Sequence, residues 1–341
     1  LKIIEEAKMI RVAVIGLGTV SGTHLDAIRS IPQARLCAVC DIDEEKHSKV
    51  SEGIPFYQDY HEMIRQEKPD CVHICLPHYL HVPVACEIAE YGIPVFCEKP
   101  VGLNCEDAEK LAECERQHPG IPIGICLQNR RNRTTEVLKK LIQSKKYGEV
   151  TGCRALVLWS RPKEYYRETP WRGKWATAGG GCLINQAVHT LDLLYYLCGN
   201  IAALKAQTSQ LLDYDIEVED TAAVNLYFEN SARGFFLATN ANSRDESVKL
   251  SVFLEKAELR MTDNKLYCVD ANGDTTLLCE DEVLPGSHFY YGVSHRKVIR
   301  EFYDAIEKGT DQYIHVKDAM MSIRLIDAIQ KSSAKKEKVD L

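Results

Sequence analysis

The stretch that decides the fold runs from Ile10 to Gly22 and reads IRVAVIGLGTVSG. Its first six residues are apolar apart from Arg11, which predicts a buried strand, and the glycines that follow predict a tight turn into a helix. The first glycine permits the turn, and the second lets the backbone approach a pyrophosphate at the N-terminus of the helix. The predicted phosphate loop consists of Gly16, Gly18, Thr19, Val20 and Ser21.

Downstream of this loop, apolar runs alternate with amphipathic stretches as far as about residue 128. The predicted buried strands are Leu36–Cys40, Cys71–Leu76, Pro94–Cys97 and Ile121–Leu127. The predicted helices are His24–Arg29, Asp43–Ser51, Asp59–Gln66, Leu80–Tyr91 and Cys105–Arg116. This alternation predicts a doubly wound parallel sheet of the Rossmann type, an α/β fold, as a dinucleotide-binding domain over residues 9–128. Residues 1–8 are interpreted as an extension that precedes the fold.

After residue 128 the pattern changes to helices followed by strands that tight turns connect. Helices are predicted at Thr135–Lys146, Leu183–Leu197, Ser294–Lys308 and Lys317–Lys331. Strands are predicted at Val150–Trp159, Ala203–Gln210, Thr221–Phe228, Gly234–Ala241, Val248–Glu255, Glu258–Met261, Leu266–Val269 and Thr275–Cys279. Because Asn230-Ser231, Asp263-Asn264 and Asn272-Gly273 tolerate positive φ, antiparallel pairing is expected. Residues 129–341 therefore predict a second α/β domain.

The composition excludes several classes of partner. The chain has 341 residues, of which 45% are hydrophobic and 27% charged, and its formal net charge is −7. An acidic chain without a long basic run is not expected to bind nucleic acid, and no apolar run approaches the roughly 18 residues of a membrane span. We expect a cytoplasmic protein that acts on a small molecule.

The 14 cysteines are spread through apolar segments, which predicts buried thiols in a reducing compartment rather than disulfides. Cys37 and Cys40 form a Cys-x-x-Cys pair inside a predicted strand, and no second pair stands at zinc-binding spacing. No metal site is expected.

Asp41 ends the second predicted strand, where a carboxylate can accept hydrogen bonds from the ribose diol of an adenine dinucleotide and repel a 2′-phosphate. The cofactor expected is therefore NAD, with NADP less favoured. Lys46 or Lys49 could still approach a 2′-phosphate if the loop moved. A second interpretation makes Asp41 the N-cap of the next helix, although Asp43 suits that role equally well.

Glu98, Lys99 and Pro100 follow a central predicted strand at its carboxyl end, where doubly wound sheets bind ligands. A lysine ammonium in a partly dry crevice can polarise a substrate oxygen. Pro100 holds the backbone of Lys99 extended and is compatible with a cis bond, which would fix the direction of the lysine side chain. A surface lysine before a proline is the competing interpretation.

A glycine run at residues 179–181 precedes a predicted helix in which Asn185, His189 and Asp192 share one face. A histidine that titrates near neutrality can take the proton of an alcohol while hydride leaves its carbon. The alternative is a buried structural histidine that Asp192 satisfies. Tyr165, Tyr166, Trp171 and Arg172 precede the glycine run in an aromatic, polar loop suited to sugars, although packing alone would also explain them.

Several further positions are candidates for lining the cofactor crevice or the cleft between the domains. They are Leu76, Pro77, His78, His81, Gln128, Asn129 and Arg130. The loops at Tyr165–Arg172 and His288–Tyr291 are expected to decide the substrate.

Taken together, these motifs resemble the Gfo/Idh/MocA family of nucleotide-dependent sugar and cyclitol oxidoreductases. The resemblance implies a Rossmann domain followed by an α/β domain with a large, open, mostly antiparallel sheet that often forms an oligomer interface. It also implies that Lys99 and His189 are the catalytic pair, with Asn185 beside them. The cofactor-binding set would include Asp41, Glu98, Lys99, Gln128, Trp171 and Arg172. The substrate-binding set would be Lys99, Tyr166, Arg172, Asn185 and His189.

One position departs from the family pattern. Many dehydrogenases of the family carry an aspartate four residues before the histidine, where this chain has Asn185. An amide can orient a substrate but cannot act as a base, so proton transfer would fall to His189 and Lys99.

The sequence therefore predicts an NAD-dependent oxidoreductase that acts on a secondary alcohol or ketone of a sugar, glycoside or cyclitol, and a homo-oligomer, either dimer or tetramer. Two alternatives remain. One is a glycoside-cleaving enzyme that oxidises its substrate transiently and eliminates the aglycone, and the other is a cofactor-binding regulator without catalysis.

Overall fold

The computed structural model describes residues 9–282 and 294–341 of the chain. The predictions made for residues 1–8 and for the loop His288–Tyr291 lie outside the described residues. The strands are β1 (Ile10–Ile15), β2 (Ala34–Cys40), β3 (Phe56–Tyr57), β4 (Cys71–Ile74), β5 (Val95–Glu98), β6 (Ile123–Cys126), β7 (Val150–Leu158), β8 (Ile201–Ser209), β9 (Thr221–Phe228), β10 (Arg233–Thr239), β11 (Lys249–Leu254), β12 (Ala257–Thr262), β13 (Lys265–Asp270), β14 (Thr275–Glu280) and β15 (Val339–Asp340).

The helices vary from one turn to five turns. They are α1 (Ser21–Ser30), α2 (Tyr60–Glu67), α3 (His81–Glu90), α4 (Cys105–Gln117), α5 (Arg133–Gln143), α6 (Lys163–Arg167), α7 (Trp175–Ala178), α8 (Cys182–Asn185), α9 (Val188–Cys198), α10 (Ser294–Lys308) and α11 (Val316–Lys335). Short 3₁₀ segments occur at Glu44–Lys49, His78–Leu80, Gln128–Arg131 and Pro170–Gly173. Among the described helices, none combines the length and the apolar composition needed to cross a bilayer.

The described residues divide into two compact units that alternate along the chain. The first unit holds residues 9–102, Glu106–Leu127 and His295–Asp318. The second holds Leu103–Cys105, residues 128–282, Ser294 and Ala319–Leu341. A division of the chain into two independent domains at residue 128 stays a prediction.

The first unit is built on a parallel sheet with the strand order β3-β2-β1-β4-β5-β6. This is the Rossmann order: successive strands are added on one side of β1 as far as β3, and β4 to β6 are then added on its other side. The predicted doubly wound fold is therefore confirmed. Asp43 and Asp59 accept backbone N–H hydrogen bonds as N-caps, and Gly92 has a φ of +73° after α3, as their residue types predict.

One predicted helix of this unit is wrong. The segment Asp43–Ser51 contains only a 3₁₀ segment at Glu44–Lys49, and none of its six residues is buried. A helix gains most of its stability in a protein from an apolar face that packs, and EEKHSK offers none.

Helix α10 completes the first unit from the far end of the chain. Phe302 and Tyr303 are fully buried, and a Cβ atom on Gly124 of β6 would lie 2.6 Å from the Phe302 ring. Glycine at this position therefore lets the aromatic ring pack directly on the strand.

The second unit is built on a sheet with the order β14-β13-β12-β11-β7-β10-β9-β8-β15 among the described residues. Its turns carry Ser231, Asp263, Asn264 and Gly273 at positive φ, which confirms the expectation from their residue types. The expectation that all its strands pair antiparallel is wrong at one place, because β10 pairs with β7 in parallel. The two strands are far apart in sequence, so no turn between them imposes an antiparallel pairing.

The single helix predicted at Leu183–Leu197 is also wrong. The segment forms α8 and α9, separated at Gln186 and Ala187. The amide of Ala187 donates to the carbonyl of Cys182, five residues back, which shifts the helical register by one residue. Asn185 therefore precedes the break, while His189 and Asp192 follow it on one face of α9.

Candidate functional site

The glycine loop of the first unit has the geometry that a dinucleotide needs. Gly16 has a φ of +92°, and a Cβ atom there would lie 2.5 Å from the carbonyl oxygen of Cys75. Only glycine fits this position. The space beside Gly18 is more open, since the nearest atom to a Cβ there would lie 4.0 Å away. Ser21 is buried and its hydroxyl donates to the carbonyl of Gly18 (2.8 Å), which fixes the loop at the start of α1.

The N-terminus of α1 suits an anion. No side chain caps it, and its first turn carries no acidic residue. Its first backbone N–H groups and the positive end of the helix dipole therefore face the loop without a competing carboxylate. The exposed Thr19 and half-buried Val20 form the entry to this turn. These residues fit the pyrophosphate of NAD.

Asp41 lies at the end of β2 and is held by the same loop. The backbone N–H groups of Leu17 (2.7 Å) and Asp43 (3.0 Å) donate to its carboxylate. Burial raises the pKa of Asp41, but these amides and the Lys46 ammonium outweigh it and lower the pKa below its ordinary value. A persistent carboxylate at this position can accept hydrogen bonds from a ribose diol.

Both lysines that the sequence suggested as phosphate ligands lie beside Asp41. The Lys46 ammonium donates to the two carboxylate oxygens of Asp41 at 3.0 and 3.2 Å, and Lys49 donates to the carbonyl of Leu17 at 2.9 Å. Both contacts form without any loop movement. The negative charge of Asp41 is thus paired with the positive charge of Lys46.

The loop that follows β4 is tied to the loop that follows β5. The ring nitrogens of His81 lie 2.8 Å from the carbonyl oxygen of Leu76 and 2.9 Å from that of Pro100. Burial lowers the pKa of His81, and these two carbonyls, which favour the protonated ring, oppose that shift. His81 thereby connects Leu76 and Pro77 to the segment that carries Lys99. His78 is buried in the intervening 3₁₀ turn.

Lys99 is half-buried at the carboxyl end of β5, and its peptide bond to Pro100 is cis. Glu98, by contrast, is buried and turns into the unit, where its Oε1 lies 2.9 Å from Nε2 of His24. Burial raises the pKa of Glu98, but the hydrogen bond from His24 and the charges of His24, His295 and Lys99 outweigh it and lower the pKa. Glu98 is thus a buried carboxylate beneath the lysine.

In the second unit, His189 is half-buried at the start of α9 and its Nε2 lies 3.3 Å from the side-chain nitrogen of Gln128. A Gln128 amide that donates to Nε2 requires the unprotonated form of that atom. The imidazole then carries its proton on Nδ1, and the lone pair at Nε2 accepts the hydrogen bond from Gln128. Gln128, selected from its place at a junction in the sequence, is therefore a direct partner of the candidate base.

The carboxylate of Asp192 is bound by Arg130, with nitrogen–oxygen distances of 2.8 and 2.6 Å. Both side chains are buried, and the contact is bidentate. Arg130 lies two residues after Gln128 in the same 3₁₀ segment. The Arg130–Asp192 pair therefore fixes the segment that carries Gln128 against the helix that carries His189.

A polar network joins the aromatic loop to the helix break. Gln186 donates to the Tyr165 hydroxyl (2.8 Å), and Asn240 donates to the Tyr166 hydroxyl (2.9 Å) and to Gln186 Oε1 (3.1 Å). Burial raises the pKa of Tyr165 and of Tyr166, so both hydroxyls stay neutral. Asn185 is half-buried next to this network.

Arg172 stacks on two rings of the aromatic loop. Its guanidinium carbon lies 4.2 Å from the centre of the Tyr165 ring and 5.5 Å from that of Trp171. Its Nη1 donates to the Thr169 hydroxyl (2.9 Å). These contacts hold the planar cation and Trp171 in one orientation, which suits recognition of a polyhydroxylated ring.

The glycine run is anchored by Glu219, which the sequence reasoning missed. Its buried carboxylate accepts hydrogen bonds from the amides of Gly181 (3.0 Å) and Leu183 (3.1 Å) and from Gln330 (3.0 Å). A Cβ on Gly181 would lie 1.7 Å from the carbonyl oxygen of Glu219, so that position requires glycine. Glu219 lies 38 residues from Gly181, and no local signal pairs them.

Among the described residues, one group of side chains has ligand atoms close enough together to hold a metal ion. Single ligand atoms of His24, Glu98 and Cys126, all buried, lie within 4.8 Å of one another in the first unit. No sequence motif indicates this group, because its members lie on three separate elements.

The chain matches two models of one protein family. Residues 10–122 match the model described as "Oxidoreductase family, NAD-binding Rossmann fold", and residues 135–260 match the "GFO/IDH/MocA C-terminal domain". The two matches together span more than half of the chain.

Relatives and solved structures agree with this match over the full length. The chain is 24% identical to the myo-inositol 2-dehydrogenase of Thermotoga maritima, over 97% of this chain and 98% of that protein. It is 24% identical to the D-apiose dehydrogenase of Paraburkholderia graminis, over 98% and 90%. The WlbA dehydrogenase of Bordetella pertussis, solved with NADH and UDP-GlcNAcA, superposes with a TM-score of 0.85 at 26% identity, covering 98% of this chain and 99% of that one. The chain belongs to the Gfo/Idh/MocA family, and it is an NAD-dependent oxidoreductase.

Proposed function

We propose that this oxidoreductase transfers hydride between NAD and a secondary alcohol or ketone of a sugar, glycoside or cyclitol. The similarity to inositol and apiose dehydrogenases and to a nucleotide-sugar dehydrogenase supports a polyhydroxylated ring as substrate. The stacked Arg172 and the tyrosine hydroxyls of the aromatic loop support the same class. The substrate-binding residues proposed are Lys99, Tyr166, Arg172, Asn185 and His189.

The proposal rests most directly on His189. When the Gln128 amide donates to Nε2, the half-buried imidazole carries its proton on Nδ1; a substrate hydroxyl that replaces this amide at Nε2 can then give its proton to that atom. Lys99 donates a hydrogen bond to the same substrate oxygen, and its positive charge stabilises the alkoxide character that develops there. Asn185 orients the hydroxyl as a hydrogen-bonding amide. Bound NAD supplies the hydride acceptor at its nicotinamide.

The cofactor-binding residues follow from the same reasoning. The loop residues Gly16, Gly18, Thr19, Val20 and Ser21 hold the pyrophosphate, and Asp41 holds the ribose. The remaining cofactor-binding residues proposed are Leu76, Pro77, His78, His81, Glu98, Lys99, Gln128, Trp171 and Arg172.

Two single substitutions test the catalytic pair. His189→Ala and Lys99→Ala are each expected to lower kcat by about 10²-fold or more, the usual contribution of a positioned acid or base, while NAD still binds. The measurement is NAD reduction on a panel of inositols, sugars and glycosides, together with calorimetric titration of NAD. His61→Ala and Lys110→Ala, which change the same residue types outside the site, are the matched controls.

The double variant tests whether Lys99 and His189 act on one oxygen. Two groups that serve the same transition state give losses that are far from additive, so the double variant should be little slower than the slower single variant. Full turnover in both single variants would contradict the proposed site. Turnover of a glycoside without net NADH would instead indicate transient oxidation and elimination, and NAD binding without turnover on the whole panel would indicate a regulator.

We further propose a cytoplasmic homo-oligomer, either dimer or tetramer. Phe235 of β10 and Leu277 of β14 leave 41% and 49% of their surface exposed on the large sheet. Apolar groups on an open sheet face favour self-association. Light scattering of the wild type and of a Phe235→Glu, Leu277→Glu variant measures it, and a monomeric wild type would contradict the proposal.

A further inference from the structure

The first unit contains a set of buried side chains with the ligand chemistry of a zinc site. His24 lies on α1, Glu98 ends β5 and Cys126 ends β6. Imidazole, carboxylate and thiolate are the ligand types that zinc takes in proteins, and a thiolate with imidazole disfavours magnesium and calcium. The three ligand atoms lie within 4.8 Å of one another.

These spacings fit a tetrahedral ion. With metal–nitrogen and metal–oxygen bonds of about 2.0–2.1 Å, tetrahedral ligand atoms stand about 3.3 Å apart. Nε2 of His24 and Oε1 of Glu98 lie 2.9 Å apart as a hydrogen-bonded pair, so an opening of a few tenths of an ångström would admit the ion.

A fourth ligand of the right type stands beside this group. Nε2 of His295, at the start of α10, lies 3.8 Å from Oε1 of Glu98, and the His295 side chain is 1% exposed. A small movement of this ring toward the ion would complete four-coordination. With four protein ligands no position stays open for a substrate, which is the arrangement of structural zinc sites.

The groups behind His24 supply the outer support that metal-bound histidines require. Nδ1 of His24 lies 2.9 Å from Nδ1 of His73, and Nε2 of His73 lies 2.9 Å from the hydroxyl of Tyr303. When His24 binds the ion through Nε2, its Nδ1–H donates to His73, whose Nε2–H in turn donates to the Tyr303 oxygen. Such a chain fixes the tautomer and the orientation of a metal-bound ring.

The charges also balance. A zinc ion with one carboxylate, one thiolate and two neutral imidazoles has no net charge, which matters because all four side chains are buried. Cys126 must lose its proton and both imidazoles must be unprotonated at the binding nitrogen, so zinc binding releases protons to solvent.

We propose that His24, Glu98, Cys126 and His295 bind one zinc ion in the first unit. The ion ties α1, β5, β6 and α10 together at the carboxyl ends of β5 and β6. This proposal is independent of the substrate and of the catalytic pair. Because the ligands are closed off from solvent, the ion enters while the chain folds.

Metal content tests the proposal on the full-length protein. Wild type, Cys126→Ser and Cys75→Ser are produced in medium supplemented with zinc, desalted, and unfolded in denaturant, and the released zinc is measured by mass spectrometry. Cys75 is a buried thiol at the end of β4 outside the ligand set, which makes Cys75→Ser the matched control. Wild type and control are expected to release about one zinc ion per chain, and Cys126→Ser at least fivefold less.

A second measurement keeps the test valid if Cys126→Ser fails to fold. Wild type produced with cobalt in place of zinc should show the visible absorption of tetrahedral cobalt and a near-ultraviolet thiolate-to-cobalt band. Wild-type protein that contains less than about one-tenth of a metal ion per chain after growth with zinc or cobalt would overturn the proposal. Equal zinc in Cys126→Ser and Cys75→Ser would overturn it as well. Hydride-transfer activity is not a readout, so failure here leaves the proposed function untouched.

Discussion

At the scale of single residues, Asp41 should set the choice between NAD and NADP. In the proposed cofactor site its carboxylate holds the ribose; Lys46 contacts that carboxylate, and Lys49 contacts the carbonyl of Leu17. Asp41→Ser removes the repulsion of a 2′-phosphate and frees the Lys46 ammonium to bind it. We expect the ratio of kcat/KM for NADP to that for NAD to rise by about 10- to 100-fold, equivalent to roughly 1.4–3 kcal/mol.

The control for this prediction is Asp43→Ser in the same loop. Asp43 caps the 3₁₀ segment through the amide of Glu45, and its contact with the Lys46 ammonium is a longer one of 3.9 Å between partly exposed groups, which contributes little. Its removal should leave the cofactor ratio within about twofold of the wild type, and an unchanged ratio in Asp41→Ser would contradict the assignment of the ribose site.

The sequence predicted those site residues whose roles depend on their neighbours in the chain. Gly16, Gly18 and Asp41 follow from the spacing of a strand, a turn and a second strand, and the structure gives them the expected local geometry. The pairs Arg130–Asp192 and His24–Glu98 are 62 and 74 residues apart, and no periodicity encodes such contacts. Sequence reasoning therefore did not pair Arg130 with Asp192 and passed over His24.

At the scale of elements, Glu219 should make the stability of the glycine run depend on pH. Burial raises the pKa of Glu219, although the amides of Leu183 and Gly181 partly oppose it. A carboxyl group with a raised pKa binds its proton more tightly in the folded state than in the unfolded state. The folded state is therefore destabilised as pH rises above the unfolded value of about 4.3 and through the folded value.

The substitution that tests this dependence is Glu219→Gln. The free energy of unfolding of the wild type, minus that of the variant, should decrease as pH rises from 4.5 to 8, because the variant has no proton to lose at residue 219. Urea titrations at several pH values measure the free energy of unfolding of the wild type and of the variant. Glu164→Gln, at an exposed position of α6, controls for the change in net charge, and a difference for Glu219→Gln that rises with pH would contradict the prediction.

Element types were predicted better than element continuity. Long apolar or alternating runs predicted most strands to within a few residues of their observed bounds, because burial imposes the hydrophobic pattern. The break between α8 and α9 was not predicted, because the residues on both sides of it are apolar and the hydrophobic pattern continues through it. What interrupts the helix is the five-residue hydrogen bond at Ala187, which composition does not encode.

At the scale of the whole molecule, the first unit depends on a segment that lies near the end of the chain. Phe302 and Tyr303 of α10 are fully buried, and the amide of Ile125 donates to the carbonyl of Ile314 (2.8 Å). A fragment of residues 9–128 lacks these groups. We expect it to show no cooperative urea unfolding, since removal of two large buried aromatic side chains alone costs about 6–10 kcal/mol, comparable to the stability of a domain.

A linked fragment provides the control for this truncation. Joining residues 9–128 to residues 294–318 through a flexible linker restores the missing helix and the strand-edge contact. This fragment should unfold cooperatively and bind NAD in calorimetry. Cooperative unfolding of residues 9–128 alone, with the same midpoint as the linked fragment, would contradict the dependence on α10.

The return of the chain to its first sheet has a consequence for the nascent protein. The nucleotide-binding strands leave the ribosome early, yet the aromatic side chains that cover β6 are synthesised nearly 180 residues after it. Domains usually fold in the order in which they emerge, but this sheet cannot complete its core until Phe302 and Tyr303 have been translated. Its apolar face is then expected to stay uncovered during that interval, and slowed translation between β6 and α10 would prolong the exposure.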